Sequence, residues 1–441
     1  MMSALYHYSP VCSLRDDFLC YNTNVEQNYS ALLEKSLDAT RLALLHLVRN
    51  ASTQRGLPLY IVGGSVRDLV LGRRLKDFDL TVEGDAIALA RALASKYGGE
   101  VTAHKKFGTA KWFLPENLKT DHDTLDLISA RSEKYKHPAA LPTVKLGSIP
   151  DDLRRRDFTI NALAVRLDGI HFGELRDDLN GMEDLQKGIV RVLHPHSFID
   201  DPTRLYRAVR YEGRYGFKID EDTLALIPEA RPFVEKLSAQ RIRHELDLIL
   251  EEPNAVRILK RLDNLDLLSV IHPALSNFSL SNLATVKSED AVLQNRNSRW
   301  ILWLMHLPDQ EIEFLNARLH FPADLLKILQ SAAALNANLM AVVGLKPSKV
   351  VEFLESYSIK ALEVLSSAVP DEEIRNILSK YLSEWWHVKP KMTGHDLKKR
   401  GIPPGPKYTE ILRRLRAAWL DGGVKSEEEE KTLLNNLLEK A

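Results

Sequence analysis

Within residues 60–82, YIVGGSVRDLVLGRRLKDFDLTV, a glycine pair, an arginine and an Asp-Phe-Asp triplet fall close together between two apolar runs. Gly63 and Gly64 carry no side chains, so the backbone N–H groups after the first run can approach a polyphosphate, and a helix starting at Ser65 turns its positive end to the same place. Arg67 adds a fork of donors that suits phosphate. Side chains alternate along a strand, so Asp77 and Asp79 are expected on one face while Phe78 and Leu80 point to the core. Two carboxylates on one face make a hard-oxygen site for Mg²⁺, which keeps waters and takes its other ligands from substrate phosphates. Ser65 and Asp68 have capping-box spacing, which reads Asp68 as structural.

Other segments extend this chemistry. Asp126 in TLDLISAR sits between Leu125 and Leu127, the pattern of a strand with one buried face and one facing a site, and is the candidate third carboxylate. Asp121 and Asp123 read as exposed loop residues. In DDLRRRDFTINAL, residues 151–163, Arg154, Arg155, Arg156 and Asp157 precede an apolar segment read as helical, with Asp157 at its N-terminus. In DDPTRLYRAVRYEGRYGF, Arg204, Arg207, Arg210 and Arg214 share about a third of a helix circumference. That ridge reads either phosphates and bases or plain solvent. Near the end of the chain, Lys398, Lys399, Arg400, Lys407, Arg413, Arg414 and Arg416 face one acid, Glu410, between 398 and 416. A Gly401–Pro406 turn there can offer N–H groups to an RNA backbone, and Tyr408 can stack on a base. No zinc spacing, P-loop, dinucleotide fingerprint or Gly-x-Ser-x-Gly elbow occurs.

The elements that would hold these residues follow from periodicity. Strand-length apolar runs (LPLYIV, FDLTV, AKWFL, TLDLI) alternate with helical stretches such as DAIALARALASKYG between 57 and about 170, an α/β texture. Beyond about 180 long amphipathic helical patterns take over, so the chain is α+β overall. The expected division is a weakly ordered leader over 1–28, a head over 29–178, a helical neck over 179–255, a helical body over 256–384 and a helical tail over 385–441. At 441 residues and 44% apolar content several cores are expected. Sixty basic and sixty acidic residues cancel, so nucleic-acid binding has to rest on local clusters. Cys12 and Cys20 supply no disulfide framework, which fits a reducing cytoplasm, and with no signal-like or membrane-length apolar run no membrane is expected.

Taken in order, VGGSVRDLVLGRRLKDFDLTV, DLRRRDFTINALA, NGMEDLQKGIVRVL, DDPTRLYRAVRY and QRIRHELDLIL resemble motifs A to E of class II tRNA nucleotidyltransferases and bacterial poly(A) polymerases. The resemblance implies a polymerase-β-like head with a mixed sheet, followed by all-helical neck, body and tail. It implies Mg²⁺ on Asp77 and Asp79, and triphosphate contacts at Gly64 and Arg67. Arg155, Arg156 and Asp157 would meet the nucleotide and its ribose, while Asp184 and Arg191 would hold a hinge. Asp201 and Arg204 would read the base of ATP or CTP, supported by Arg207. The tail, through Lys398, Lys399, Arg400, Lys407, Arg413 and Arg414, would bind tRNA, which the enzyme meets at its 3′ end and upper half. The fourth motif usually opens Glu-Asp, whereas this chain has Asp200-Asp201. Residues 130–150 resemble the family's flexible loop, associated with adding the terminal A. The expected activity is CCA addition to tRNA; an A-only enzyme that needs a separate CC-adding enzyme, a poly(A) polymerase and a non-catalytic RNA-binding protein are the alternatives.

Overall fold

The computed structural model describes residues 28–73, 75, 79–276 and 291–439. The leader, Asn28 apart, and both cysteines lie outside these residues, as do Asp77 and Phe78. Two compact units emerge, one running to Lys136 and resuming at Leu141–His194, the other holding His137–Ala140 and everything from Pro195 onward. The helix Gly181–Lys187, expected with the neck, clusters with the first unit.

The first unit is built on a seven-stranded sheet. Its strands are β1 (Leu59–Val62), β2 (Leu80–Val82), β3 (Glu100–His104), β4 (Thr109–Phe113), β5 (Thr124–Ser129), β8 (Ala164–Arg166) and β9 (Leu175–Arg176), in the order β3-β4-β5-β2-β1-β8-β9. Among the described residues β2 and β5 run parallel and the other pairings of the sheet are antiparallel, so the sheet is mixed. The run LYIV of β1 is buried throughout because the strand is interior and covered on both faces, whereas the edge strand β3 is exposed at alternate residues. Tyr60 and Val62 of β1 pack with Ile149 and Leu153 of the helix Ile149–Arg154 and with Ala162 and Ala164. Helix Ala86–Tyr97 covers β4 and β5; Asp85 caps it by accepting from Ile87 and Ala88 N–H at 2.9 and 3.0 Å, and Gly98, at φ 91°, ends it.

Three local expectations need correction. The helix after β1 spans Gly64–Val70 with Gly63, not Ser65, at its N-cap, and the Asp68 carboxylate takes Arg67 Nε at 3.0 Å instead of closing a capping box. The arginine triplet ends a helix rather than preceding one: the capping box is Ser148/Asp151, Pro150 lies in the first turn, and Arg154 is the last helical residue. The apolar stretch after it is a single 3₁₀ turn, Thr159–Asn161, that runs into β8, because its β-branched and apolar residues complete the sheet beside β1. Residues 130–150, expected as a loop, contain an antiparallel ribbon of β6 (Arg131–Lys134) and β7 (Thr143–Leu146), registered Arg131 to Leu146 and Lys134 to Thr143.

The second unit is almost wholly helical. Trp300 and Trp303 stack at 5.3 Å with Phe321 edge-on to Trp300, and Trp300 Nε1 donates to Asp247 at 2.8 Å. The stretch Ala323–Val342 is long and apolar enough to cross a membrane by composition, and it packs against the helices Arg296–Leu304, Asp309–Leu319 and Ile359–Ala368 as a core element does. The basic ridge of helix Thr203–Tyr215 is not a solvated face. Arg210 is buried against Glu245 (3.5 Å) and Glu252 (3.9 Å), both themselves buried; Arg214 meets Glu252 at 2.7 Å, and Arg207 lies 3.8 Å from Glu245. The ridge is thus a charged seam to helix Ala239–Leu250 and the turn after it. Near the end of the chain, Leu397, Ile411, Leu415 and Leu434 form a separate small core. Glu430, the last residue of the acidic run, is buried there and accepts from Lys391 N, Met392 N and Trp419 Nε1 at 3.0, 2.9 and 2.8 Å.

Removing one member of a buried pair strands the other charge, so Glu245→Ala is expected to lower the unfolding free energy by roughly 3 kcal/mol. Urea unfolding of the variant checks this; an unchanged midpoint would mean that the seam is hydrated.

Candidate active site

β1 ends at Val62 and the chain turns at Gly63, whose φ of 69° and ψ of −127° an L side chain resists. A Cβ there would also overlap Arg156 Nη1, so the guanidinium of Arg156 lies directly on the bare backbone of the turn. Gly64 opens the short helix, and a Cβ on it would stand 3.2 Å from Arg67 Nη2. Arg67 is buried rather than waiting as an open fork: Nη1 donates to Asn161 Oδ1, and Asn161 Nδ2 donates in turn to Asp157 Oδ1 at 2.9 Å. Asp157 also accepts the Phe158 N–H at 2.9 Å and is itself buried. A polar chain Asp157–Asn161–Arg67–Asp68 therefore fixes the turn from beneath. Asn161 was not singled out in the sequence, although its spacing of four from Asp157 was visible.

The arginines after helix Ile149–Arg154 are organised by Asp152, a carboxylate with no exposed side-chain surface. Its Oδ1 accepts from Arg155 Nη2 at 2.7 Å and Nε at 2.9 Å, and its Oδ2 accepts from Arg156 Nη2 at 2.8 Å. Arg155 Nη1 reaches Glu133 at 3.0 Å, and Glu133 in turn meets Arg131 at 3.4 Å. Burial alone would raise the Asp152 carboxyl, but the charges of Arg156 and Arg155 outweigh it and hold it below the usual carboxylate range. Asp152 escaped the sequence reading, yet it stands three and four residues before the arginines it holds. Behind the same 3₁₀ turn, Asp184 accepts from Thr159 Oγ1 at 2.7 Å and Arg191 Nε at 3.0 Å, which brings together the two residues expected at a hinge.

The acidic candidates lie at one end of the sheet. Asp77 is outside the described residues, and β2 begins only at Leu80, so Asp79 is the residue before the strand and is exposed. Because β2 and β5 are parallel with Leu80 opposite Leu127, the register one residue back sets Asp79 beside Asp126. Asp126 is half-buried with Lys111 Nζ at 3.3 Å. Among the described residues no group of three His, Cys, Asp or Glu gathers as a metal cluster. Arg41, buried and 2.6 Å from Asp121, donates to the Leu75 carbonyl at 2.6 Å and ties down the approach to the acidic triplet. Asp121 is therefore an anchor rather than a free loop acid, and the Arg41 guanidinium holds its carboxyl below the usual range.

In the second unit Asp201 ends the short helix Ser197–Asp200, and Arg204 lies in the first turn of the next. The side chains expected to act as a pair have separate anchors: Arg204, buried, donates from Nη1 to Ser197 Oγ at 2.6 Å, and Asp201 Oδ1 accepts from Arg241 Nη2 at 2.6 Å. Arg207 donates to the Tyr211 hydroxyl at 3.1 Å. In the tail, the arginines are partly neutralised by Glu410 and by two acids from outside the stretch 398–416: Arg413 meets Glu410 and Glu352 at 2.9 and 3.0 Å, Arg414 meets Glu410 at 2.6 Å, and Arg416 pairs with Glu355. Arg400 donates to Asn435 at 2.7 Å. Lys398, Lys399 and Lys407 are exposed without an ion pair among the described residues. Tyr408 is not poised to stack, since its ring packs into the small core and its hydroxyl donates to the Ile402 carbonyl at 2.7 Å.

The chain is similar to several known proteins. The family described as "Poly A polymerase head domain" matches residues 59–191, and "Probable RNA and SrmB- binding site of polymerase A" matches residues 216–279. An A-adding tRNA nucleotidyltransferase of Geobacter sulfurreducens is 35% identical over 93% of this chain, which spans only 48% of that longer protein. The A-adding tRNA nucleotidyltransferase of Halalkalibacterium halodurans is 32% identical, with 91% of this chain and 94% of the relative aligned. A CC-adding tRNA nucleotidyltransferase of Deinococcus radiodurans is 31% identical over 86% of this chain and 89% of its own. Among solved structures, the apo form II of a CCA-adding enzyme superposes with a TM-score of 0.80 at 30% identity, covering 95% of this chain and all of that one. The Thermotoga maritima CCA-adding enzyme complexed with tRNA does so at 0.75 and 29%, over 94% and 100%.

The Asp152 carboxyl titrates lower in the folded state than its unfolded value of about 3.9, so the stabilisation it brings is complete above about pH 4 and is lost as pH falls through the folded value. Asp152→Asn is expected to be less stable at pH 7 and to lose less between pH 5 and pH 3 than the parent, as thermal unfolding across that range will show. Parallel pH profiles would remove Asp152 as the hub.

Proposed function

We propose, on the premise that this chain belongs to the class II tRNA nucleotidyltransferase and bacterial poly(A) polymerase family, that it adds the terminal adenosine of the CCA end to tRNA without a nucleic-acid template. The observation that carries this reading is the turn at Gly63–Gly64, roofed by Arg156 and underpinned by Arg67, at the same end of the sheet unit as Asp79 and Asp126. In the reaction, the 3′-hydroxyl oxygen of the RNA attacks the α-phosphorus of the nucleotide, the bond to the β-phosphate oxygen breaks, and pyrophosphate leaves. The backbone N–H groups at the glycine turn and the Arg156 guanidinium receive the triphosphate charge. Arg67 acts from below, since its donors are spent on Asn161 and Asp68 in holding the turn. Asp79, with Asp77 before it and Asp126 on the adjacent strand, offers the hard oxygens that Mg²⁺ takes, and the bound ion would lower the pKa of the attacking hydroxyl and neutralise the departing pyrophosphate. Asp201 and Arg204 read the base, and Lys398, Lys399 and Lys407 meet the RNA backbone. A cytoplasmic location is part of the same proposal.

Complete CCA synthesis is the second reading, and it is the one that the sequence alone favoured. The whole-length match to CCA-adding enzymes supports it, while the two relatives at 35% and 32% identity are A-adding.

The test offers the purified protein with Mg²⁺ three tRNA transcripts, ending before CCA, after C and after CC, each with CTP, ATP or both. Growth of only the CC-ended transcript, by one A, is expected; completion of all three would establish the wider activity, and no extension would refute both. Asp79→Ala in the same assay is expected to lose about a thousandfold in rate, the equivalent of several kcal/mol of metal-borne stabilisation. Changing Lys398, Lys399 and Lys407 together to Gln should weaken tRNA binding and flatten its dependence on salt concentration. Equal affinity and slope would mean that the RNA contact lies elsewhere.

A further inference from the structure

All the donors that reach the Asp201 carboxylate converge on one oxygen. Oδ1 accepts from Thr203 N at 3.1 Å, from Thr203 Oγ1 at 2.7 Å and from Arg241 Nη2 at 2.6 Å, whereas Oδ2 accepts from no described residue. The group is mostly buried, with 18% of the side chain exposed, so it cannot swing freely through water. Three donors on one oxygen fix the plane of the carboxylate and leave the other oxygen as a bare acceptor. Arg241 lies in the first turn of helix Ala239–Leu250, where the helix dipole disfavours a cation; the charge of Asp201 offsets that cost. Its other nitrogen, Nη1, donates at 3.3 Å to the carbonyl of Ala139, which is held in the left-handed region at φ 61° and donates its own N–H to the Asp200 carbonyl at 3.2 Å. The Arg241 fork thus ties the Asp201 carboxylate to the Ala139 carbonyl, and Ala139 in turn holds the Asp200 backbone.

We propose that Arg241 is a specificity-setting positioning residue: together with Thr203 it aims Oδ2 of Asp201 at the exocyclic amino group of the incoming nucleotide. Cytosine and adenine carry an amino donor at that place; uracil and guanine carry a carbonyl, which an acceptor oxygen repels. An oxygen held in place discriminates by geometry as well as by charge, and a carboxylate released from its clamp follows the base it is given. This rests on the reading of Asp201 as a base-contacting residue, and the test separates the two.

Single-nucleotide addition to a CC-ended tRNA is followed with ATP, CTP, GTP and UTP for the parent, Arg241→Gln, Arg241→Lys, Thr203→Val and Asp201→Ala, with kcat and KM resolved and thermal unfolding recorded for each. Arg241→Gln is expected to lower the preference for ATP over GTP and UTP by about tenfold, through KM more than kcat, the size of one charge-assisted hydrogen bond. Arg241→Lys keeps the charge but gives up the fork, and is expected to recover part of that preference. Thr203→Val should shift it in the same direction. If Arg241→Gln and Arg241→Lys lower kcat/KM for every nucleotide by one common factor, Arg241 is merely structural and the proposal falls. If Asp201→Ala relaxes selectivity and neither Arg241 variant does, the proposal falls while base reading by Asp201 stands. Unchanged selectivity in Asp201→Ala removes the premise itself.

Discussion

A carboxylate with no exposed surface cannot stay ionised unless cations surround it, and Asp152 meets that condition with Arg155 and Arg156. The consequence runs outward from there. Arg156, drawn to Asp152, lies across Gly63; the turn at Gly63 therefore has to be bare and left-handed. Arg155, drawn to the same carboxylate, reaches the ribbon of β6 and β7 through Glu133. Ile149 and Leu153 seat the helix that carries Asp152 on Tyr60 and Val62 of β1. One buried charge thus couples the helix, the ribbon and the glycine turn through the two arginines that offset its desolvation cost.

The same logic recurs in the second unit. There Arg210 is buried together with Glu245 and Glu252, and Arg207 and Arg214 complete the pairing from partly exposed positions. A basic ridge of this kind is scaffolding. Asp201 differs from it in keeping an unengaged acceptor, as its Oδ1 takes every donor and its Oδ2 none among the described residues. The tail shows the division once more: Arg413, Arg414 and Arg416 are spent on Glu352, Glu410 and Glu355, while Lys398, Lys399 and Lys407 stay exposed. The buried Glu430 closes that small core by satisfying two backbone N–H groups and an indole.

Family membership joins this arrangement to nucleotidyl transfer on tRNA. On the proposed template-free reading the protein has to present fixed donors and acceptors to a base, and Asn161 beneath Arg67, Asp152 beneath Arg156 and Arg241 beside Asp201 are the residues that hold their partners in place.

The sequence by itself determined the apolar runs that became β1, β2, β4 and β5, the helix Ala86–Tyr97 with its Asp85 start and Gly98 stop, the change to helices in the second half, and the ordered motifs that carry the family. These are local properties: period, cap and turn are written within a few residues of where they act. Tertiary structure alone decided that Arg204 and Arg210 are buried, that Arg67 points to Asn161, that Tyr408 belongs to a core and that Thr159–Asn161 is a 3₁₀ turn leading into β8 rather than a helix. The partners that decide such points lie far along the chain, as Glu245, 35 residues from Arg210, and Asn161, 94 from Arg67, show. A charge pattern has the same appearance whether its face meets water or an opposite charge, and only the packing of distant elements, which sets the local desolvation, tells the two apart.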